Sequence, residues 1–148
     1  MKFKVIEDAD VVTYVMACDP GDEAVSALAQ FAHAEDLEAA QITAIGAFER
    51  AVVGWFDRAA RKYRHIPVDE QCEVLSLIGD VAVGRDGPVV HVHVVLGLAD
   101  GTTRGGHLIE GHVFPTLEVV VREAPAQLRK VMRPDIGIAL IDLDQSES

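Results

Sequence analysis

Cysteine is scarce in this sequence, and long hydrophobic runs are absent. The 148 residues include only two cysteines, Cys18 and Cys72, with no close spacing and no secretory signal ahead of them. Buried thiols are therefore expected rather than a disulfide. No apolar run approaches the roughly eighteen residues that a membrane helix needs. These absences predict a soluble, cytoplasmic protein that does not span a membrane.

Basic residues are also in the minority. The chain has 13 Lys and Arg against 24 Asp and Glu, a formal net charge of −11 and an isoelectric point of about 4.8. This balance repels polyanions unless the basic groups are segregated, so binding to bare DNA is disfavoured. Basic residues cluster only at residues 58–65 and at Arg129, Lys130 and Arg133. Charge clusters of this kind usually belong to a solvated surface.

The sequence contains no internal repeat, low-complexity linker, phosphate-binding loop, nucleophile elbow or catalytic Cys–His pair. Its length and its 49% hydrophobic content suit one domain with a core of its own. We expect that domain to span residues 1–144 and residues 145–148 to form a frayed tail.

Strand and cap signals predict how the chain begins. Residues 3–6 and 11–16 are expected to form a hairpin across an acidic turn at residues 7–10. A helix is expected to start with Asp19 as its N-cap and Pro20 in its first position, and to run to about residue 33 or 34. Its apolar residues recur at helical spacing, so one face should lie on a sheet.

The rest of the sequence predicts mostly strands. Apolar runs at residues 40–48 and 51–56 contain Gly46 and Gly54, which favour bulges or a close approach to another backbone or chain. The second run could also be helical. Further strands are expected at residues 63–68, 71–83, 89–96, 116–121 and 136–143, with a bulge or a sheet edge at Pro115 and a short helix around residues 125–132. The prediction is an α+β domain with a mainly antiparallel sheet, one longer helix and one or two short helices.

Four of the six histidines fall within one predicted hairpin, at residues 89–112. Side chains alternate along a strand, so His91 and His93 share one face while Val90, Val92 and Val94 share the buried face. Neutral imidazoles are good ligands for zinc and other transition metals. A metal site is one interpretation of this cluster, and a hydrogen-bonded histidine seam at a subunit contact is the other.

Hairpin arithmetic leaves the third ligand open. A four-residue loop at residues 100–103 would place His112 opposite His91. A five-residue loop at residues 100–104 would instead put His107 on the face that His91 and His93 share. A difference of one residue in the loop therefore exchanges one candidate ligand for the other.

A succession of motifs resembles the plant- and prokaryote-conserved (PPC) domain, over nearly the whole chain. The motifs are the glycine-containing run at residues 46–56, Cys72-Glu73-Val74-Leu75-Ser76-Leu77-Ile78-Gly79, His91-Val92-His93, Gly105-Gly106-His107-Leu108, and Thr116-Leu117-Glu118-Val119-Val120.

The resemblance implies an α+β fold, assembly as a homotrimer, and a histidine cluster at His91, His93 and His107 that can hold a metal. It also implies a stand-alone prokaryotic module with a DNA-binding or regulatory role. The Arg-Gly-Arg-Pro-type AT-hook that accompanies the domain in plants is absent from this sequence. On the family pattern we assign His107 as the third ligand and keep His112 in reserve.

Two classes of function follow. The favoured one is a trimeric binding or regulatory module that holds zinc and whose partner is a protein or a small molecule rather than DNA or a membrane. The alternative is a small metal-dependent enzyme that uses a zinc-bound water, with Glu110 or Glu118 as its base or as a further metal neighbour. An enclosed cleft at the histidines would favour the enzyme, whereas an open patch would favour the module.

Overall fold

The computed structural model describes residues 1–8 and 11–147. Its strands are β1 (Lys2–Asp8), β2 (Val11–Cys18), β3 (Ala39–Asp57), β4 (Lys62–Val68), β5 (Cys72–Val83), β6 (Pro88–Gly97), β7 (Thr103–Glu123), β8 (Lys130–Arg133) and β9 (Ile138–Ile141). The helix α1 (Ala24–Ala34) lies between β2 and β3, and a 3₁₀ turn (Leu143–Gln145) follows β9.

Seven strands form one antiparallel sheet in the order β1-β2-β7-β6-β5-β3-β4. Because β3 also pairs with β7, the strands β3, β5, β6 and β7 close into a ring, in which each strand pairs with two of the other three. Strands β8 and β9 form a separate two-stranded sheet. The α+β class and the mainly antiparallel sheet are thus confirmed, with one α-helix and one 3₁₀ turn among the described residues.

The core fills the space between α1 and the sheet. The helix buries Ala24, Leu28, Phe31 and Ala32, and the Phe31 ring meets Tyr14 of β2 edge-on with centroids 5.1 Å apart. Cys18 and Cys72 are buried free thiols, as predicted, and burial raises the pKa of Cys18 to about 11. The one helix described is too short to cross a membrane.

The predicted first hairpin is present, because β1 and β2 pair antiparallel, although residues 9 and 10 of its turn lie outside the described residues. The predicted helix start is wrong. Gly21 has φ +91°, outside the right-handed helical region, and its N–H donates to the Val113 carbonyl of β7. The chain therefore turns at residues 19–22, and Glu23 caps the helix instead of Asp19.

The apolar runs at residues 40–48 and 51–56 form the single strand β3, so the helical alternative for the second run is wrong. The irregularity expected at Gly46 is confirmed by register shifts beside it. Gly46 has φ +153°, and a Cβ there would lie 2.2 Å from the Thr116 carbonyl oxygen of β7. Glycine permits this contact between the two longest strands.

Strand β7 runs through Pro115 in the interior of the sheet. Its pairing with β3 shifts register there, since three β7 residues but only one β3 residue lie between the pairs made by Val113 and Leu117. The short helix expected at residues 125–132 is wrong. The Leu128 N–H donates to the Glu38 carbonyl and the Leu128 carbonyl accepts from the Val83 N–H, so the backbone of this segment bonds to residues distant in sequence and forms no helix. The last predicted strand is shorter, and its end forms the 3₁₀ turn.

Candidate metal centre

Strand β6 places His91 and His93 side by side. Its alternate residues Val92, Val94 and Leu96 are at most 3% exposed, so they hold the strand against the core. The two histidines project from the opposite face, where His91 is half-buried and His93 is exposed. Burial of one face of β6 thus presents the two imidazoles at the other face, as the alternation predicted.

Strand β7 brings His107 to the same face, directly opposite His93. Both predicted loop registers are wrong, because the loop consists of residues 98–102 and Gly97 pairs with Thr103. The observed loop has five residues, like the second predicted loop, but begins two residues earlier. Because the loop again has an odd number of residues, the face is preserved, and His107 rather than His112 joins the pair.

A glycine allows β7 to leave β6 at this point and continue along β3. Gly106 has φ +156°, and a Cβ there would lie 2.5 Å from the Gly54 carbonyl oxygen of β3. His107 pairs with His93 on one side and with Gly54 on the other. The third histidine therefore lies at the junction of three strands of the ring, which makes its backbone position rigid.

The three imidazoles form a compact group. One ring nitrogen from each lies within 4.8 Å of the others. The His91 and His93 Nε2 atoms are 3.1 Å apart, and the ring centroids of His91 and His93 lie 5.1 and 5.6 Å from that of His107. A tetrahedral zinc ion with ordinary Zn–N bonds separates its nitrogen ligands by about 3.3 Å. The His91–His93 pair is thus at ligand spacing.

Other side chains orient two of the rings. His91 Nδ1 lies 3.8 Å from Asp80 Oδ2 on β5, while Asp80 Oδ1 accepts a hydrogen bond of 2.5 Å from the buried Lys130 Nζ. The Tyr63 ring of β4 stacks on His107 with centroids 4.6 Å apart and planes 21° from parallel. The carboxylate favours Nδ1 as the protonated nitrogen of His91, which leaves Nε2 free to act as a ligand.

Burial and neighbouring positive charge keep two of the imidazoles, those of His91 and His107, neutral. Burial, with the neighbouring His91 and His93, lowers the pKa of His107 to about 4. Burial and the nearby Lys130 also lower the pKa of His91, although Asp80 opposes this shift. A metal ion binds only the neutral imidazole, so near neutral pH protons do not compete for these two rings.

The donor set fits a transition metal on the chemistry of its atoms. Three neutral nitrogen ligands suit zinc and leave a fourth position for water or another ligand. His107 Nδ1 is buried and has no hydrogen-bond partner in the described part of the chain. A buried ring nitrogen without a partner is costly, and coordination to an ion is one way in which such a cost is removed.

The remaining candidate residues lie elsewhere. His112 Nε2 forms a short contact with Glu110 Oε1 on the same strand, and neither residue belongs to the histidine group. Glu118 is opposite Ile45 of β3, on the exposed side of the sheet, and is also outside the group. Neither carboxylate therefore supplies an atom to the histidine group in the described part of the chain.

Sequence reasoning missed Asp80, Lys130 and Tyr63. Asp80 pairs directly with His91, so the β5–β6 hairpin register contained the signal: a loop of residues 84–87 gives this pair. Tyr63 and Lys130 reach the site from β4 and β8, far from the histidines in sequence. No local spacing could have identified them.

An exposed apolar patch adjoins the histidines. Ile45, Leu75, Ile78 and Val120 are 61%, 54%, 58% and 41% exposed and line one shallow groove; we call them the outer apolar patch. Ile78 pairs with His93 across β5 and β6, so the patch and the histidine site are continuous. Contiguous apolar surface of this kind marks interaction sites.

Comparisons with known proteins place these features in context. A family model described as the Plants and Prokaryotes Conserved (PCC) domain matches residues 7–125. Two curated proteins named bifunctional protein GlmU, from Synechococcus strains, are each 29% identical over 132 residues, with 88% of this chain and 20% of theirs covered. The chain thus spans about a fifth of the length of these curated relatives.

Solved structures share the fold over nearly the whole chain. A plant- and prokaryote-conserved protein from Pyrococcus horikoshii is 31% identical with a TM-score of 0.83, covering 95% of this chain and 94% of that one. A metal-containing protein from Archaeoglobus fulgidus is 30% identical with a TM-score of 0.82, covering 95% and 96%. A protein from Bacteroides thetaiotaomicron, provisionally described as DNA-binding, is 22% identical with a TM-score of 0.88, covering 97% and 99%, and shows the fold alone.

Proposed function

The chain belongs to the Plants and Prokaryotes Conserved domain family, and from that premise we propose that it is a homotrimeric, zinc-binding regulatory module whose ligands are His91, His93 and His107. The observation that carries the proposal is the meeting of three ring nitrogens within 4.8 Å on the face of a closed ring of strands. Rigid placement of this kind is what a metal site requires of its ligands.

Three further observations support a metal. Burial keeps His107 neutral by lowering its pKa to about 4, and Asp80 lies beside His91 Nδ1 as carboxylates do at many histidine metal sites. The Archaeoglobus fulgidus protein, 30% identical to this chain, is described as metal-containing. Zinc is the metal we assign, because three imidazoles and one open position match its tetrahedral preference.

The site's exposure favours a binding module over an enzyme. His93 is exposed and the side chain of His91 is 35% exposed, so an ion held there would face solvent. Catalytic sites enclose most of a small substrate's surface. The open position on the metal would instead accept a donor from a partner protein or a small molecule.

The outer apolar patch supports the trimer. Ile45 and Ile78 are 61% and 58% exposed, and two such isoleucines beside Leu75 are costly to leave in water. A second and third copy of the chain are the occupants that we assign to this patch, and the trimer would bring subunit surfaces close to the histidine site through Ile78. We place the trimer in the cytoplasm, where the free thiols of Cys18 and Cys72 would remain reduced.

Duplex DNA is not the partner that we assign. The net charge is −11, and the sequence has no AT-hook. The basic residues within 58–65 are exposed, in the turn between β3 and β4 and on the edge strand β4. Any residual binding should be non-specific and fall steeply with salt, as phosphate neutralisation does. Sequence-selective binding at submicromolar affinity in physiological salt would refute this part of the proposal.

Metal analysis of protein purified without a polyhistidine tag tests the proposal. We expect about one zinc ion per chain, retained after dialysis. His91→Ala, His93→Ala and His107→Ala should each lose the ion, whereas His112→Ala, a matched histidine on β7 outside the group, should keep it. Protein free of metal, or a His107→Ala variant that keeps its zinc, would contradict the proposed site.

A further inference from the structure

We propose that the cavity between the main sheet and the β8–β9 sheet binds a small organic carboxylate with an aliphatic body. The cavity has a volume of about 740 Å³, within the range of ordinary small-molecule sites. Its walls are mainly apolar, with Val83, Val89 and Val131 among the residues that line it. None of the three clustered histidines lines it, and the two sites meet only through Lys130, whose partner Asp80 lies beside His91.

The charged residues that line this cavity are all basic. They are Arg85, Arg129 and Lys130, and no Asp or Glu of the described residues lines it, although the chain as a whole carries a net charge of −11. Lys130 is already neutralised, because its Nζ donates to Asp80 Oδ1 at 2.5 Å. Arg85 is exposed at the edge. The charge that a ligand would meet inside is therefore that of Arg129.

Arg129 is half-buried and lacks a carboxylate. Its Nη2 donates to the neutral Gln127 Oε1 at 2.7 Å, and it forms no ion pair within residues 1–8 and 11–147. A guanidinium presents a planar fork of donors that a carboxylate satisfies with two parallel hydrogen bonds. A half-buried guanidinium without such a partner is thus suited to receive one from a ligand.

The surroundings select the kind of anion. A valine-rich wall stabilises an aliphatic body by removing it from water. A phosphate dianion would bring two negative charges to one uncompensated cation, close to the Asp80 that already holds Lys130. A monocarboxylate matches both the single charge and the apolar wall. The β8–β9 wall lies beyond residues 7–125, where the family model matches, whereas the opposite wall, with Val83 and Val89, lies within them.

Titration with octanoate, followed by calorimetry and by protein NMR, tests the proposal on zinc-loaded and on chelator-treated protein. We expect saturable binding in both forms, because no histidine of the metal centre lines the cavity. Protein that takes up no zinc yet still binds octanoate would refute the metal proposal alone, so the two failures are distinguishable. Octylamine, which carries the opposite charge on the same chain, and inorganic phosphate should not compete.

Two variants locate the ligand. Arg129→Gln should weaken octanoate binding by about tenfold or more, the ordinary value of a charge-assisted hydrogen bond. Ala139→Trp should abolish binding by filling the cavity that Ala139 lines. Arg64→Gln, an exposed arginine on β4 that pairs with Asp57 far from the cavity lining, should leave the affinity within about twofold.

Three results would overturn the proposal. The first is no saturable octanoate binding up to about 10 mM, which is the weak end of measurable affinity. The second is equal binding of octylamine, which would show that the apolar wall alone holds the ligand. The third is an Arg129→Gln variant that melts like the wild type and binds octanoate unchanged.

Discussion

Replacement of Ile78 by serine should dissociate the proposed trimer while leaving the subunit folded. The Ile78 side chain is 58% exposed in the single chain and belongs to the outer apolar patch. Because Ile78 is more than half exposed and does not belong to the core cluster, its replacement should change the free energy of unfolding of the subunit by no more than about 1 kcal/mol. Its contribution should appear when copies of the chain associate.

The magnitude follows from the exposed fraction. Complete burial of an isoleucine side chain is worth about 1.5–3 kcal/mol, so the 58% of Ile78 that remains exposed corresponds to about 1–2 kcal/mol per copy. Three copies would lose about 3–5 kcal/mol per trimer. This loss lowers the trimer association constant by roughly 100- to 5,000-fold.

Sedimentation velocity across a concentration series measures this shift. The wild type should sediment as three copies of the 16.0 kDa chain, about 48 kDa, and Ile78→Ser should dissociate to 16.0 kDa at concentrations where the wild type stays trimeric. Ile141→Ser is the matched control, an isoleucine on β9 that is 38% exposed and outside the patch. A wild-type monomer at micromolar concentration, or equal dissociation of both variants, would refute the reasoning.

Three further predictions concern stability and the metal. Glu23 accepts hydrogen bonds from the N–H groups of Val25, Ser26 and Gly111, so Glu23→Ala should lower the free energy of unfolding by about 1–3 kcal/mol in chemical denaturation. Glu49→Ala, at an exposed position, should change it by less than about 0.5 kcal/mol. Equal losses in the two variants would contradict the capping role of Glu23. The pKa of His107 is about 4 in the folded state against 6.5 ordinarily, so as pH falls the unfolded state takes up this proton first. The free energy of unfolding of the metal-free protein should therefore fall by up to about 3 kcal/mol between pH 6.5 and pH 4. The same dependence of stability on pH in His107→Gln would disprove this prediction. Asp80→Asn should weaken zinc affinity about 10- to 100-fold in a chelator competition. Asp86→Asn, in the β5–β6 turn, should leave the affinity unchanged. Equal zinc affinities of the two variants would show that Asp80 does not orient His91.

Strand alternation was the most dependable signal in the sequence. His91 and His93 project from one face because Val92 and Val94 must be buried on the other, and this requirement is local to β6. The assignment of His107 rested on the family pattern, and the structure brings it to the pair through a register that differs from both predicted ones. The face on which a residue lies depends only on whether the hairpin loop has an odd or an even number of residues. His107 therefore shares the face of His91 and His93 although the predicted register was wrong.

The errors arose where distant backbone groups override local signals. Asp19 and Pro20 are good helix-start residues, yet the hydrogen bonds of Gly21 and Asp22 to Val113 hold this segment in a turn against β7. Residues 125–132 were expected to be helical, but Leu128 bonds to Glu38 and Val83 instead. Such partners lie tens of residues away in sequence, so local composition and periodicity cannot indicate them.

The length of β3 and β7 was also beyond local reasoning. Gly46 and Pro115 are residues that usually end a strand, yet both lie inside strands. The pairing of β3 with β7 shifts register next to Gly46, and this shift accommodates both residues. The two strands form most of the ring that holds His107, so the geometry of the site depends on this pairing. Asp80 reaches the histidines from β5 of this ring, whereas Tyr63 reaches them from β4, which pairs with β3 at the edge of the sheet.

Anomalous X-ray diffraction at the zinc edge, from crystals of untagged protein, tests the central claim most directly. The account predicts one strong anomalous peak per chain, at ligand distance of about 2.0–2.1 Å from ring nitrogens of His91, His93 and His107. It also predicts that the peak disappears in crystals of His107→Ala and persists in His112→Ala. A peak at His112 and Glu110 instead, or no peak at the three histidines in zinc-supplemented crystals, would contradict the account.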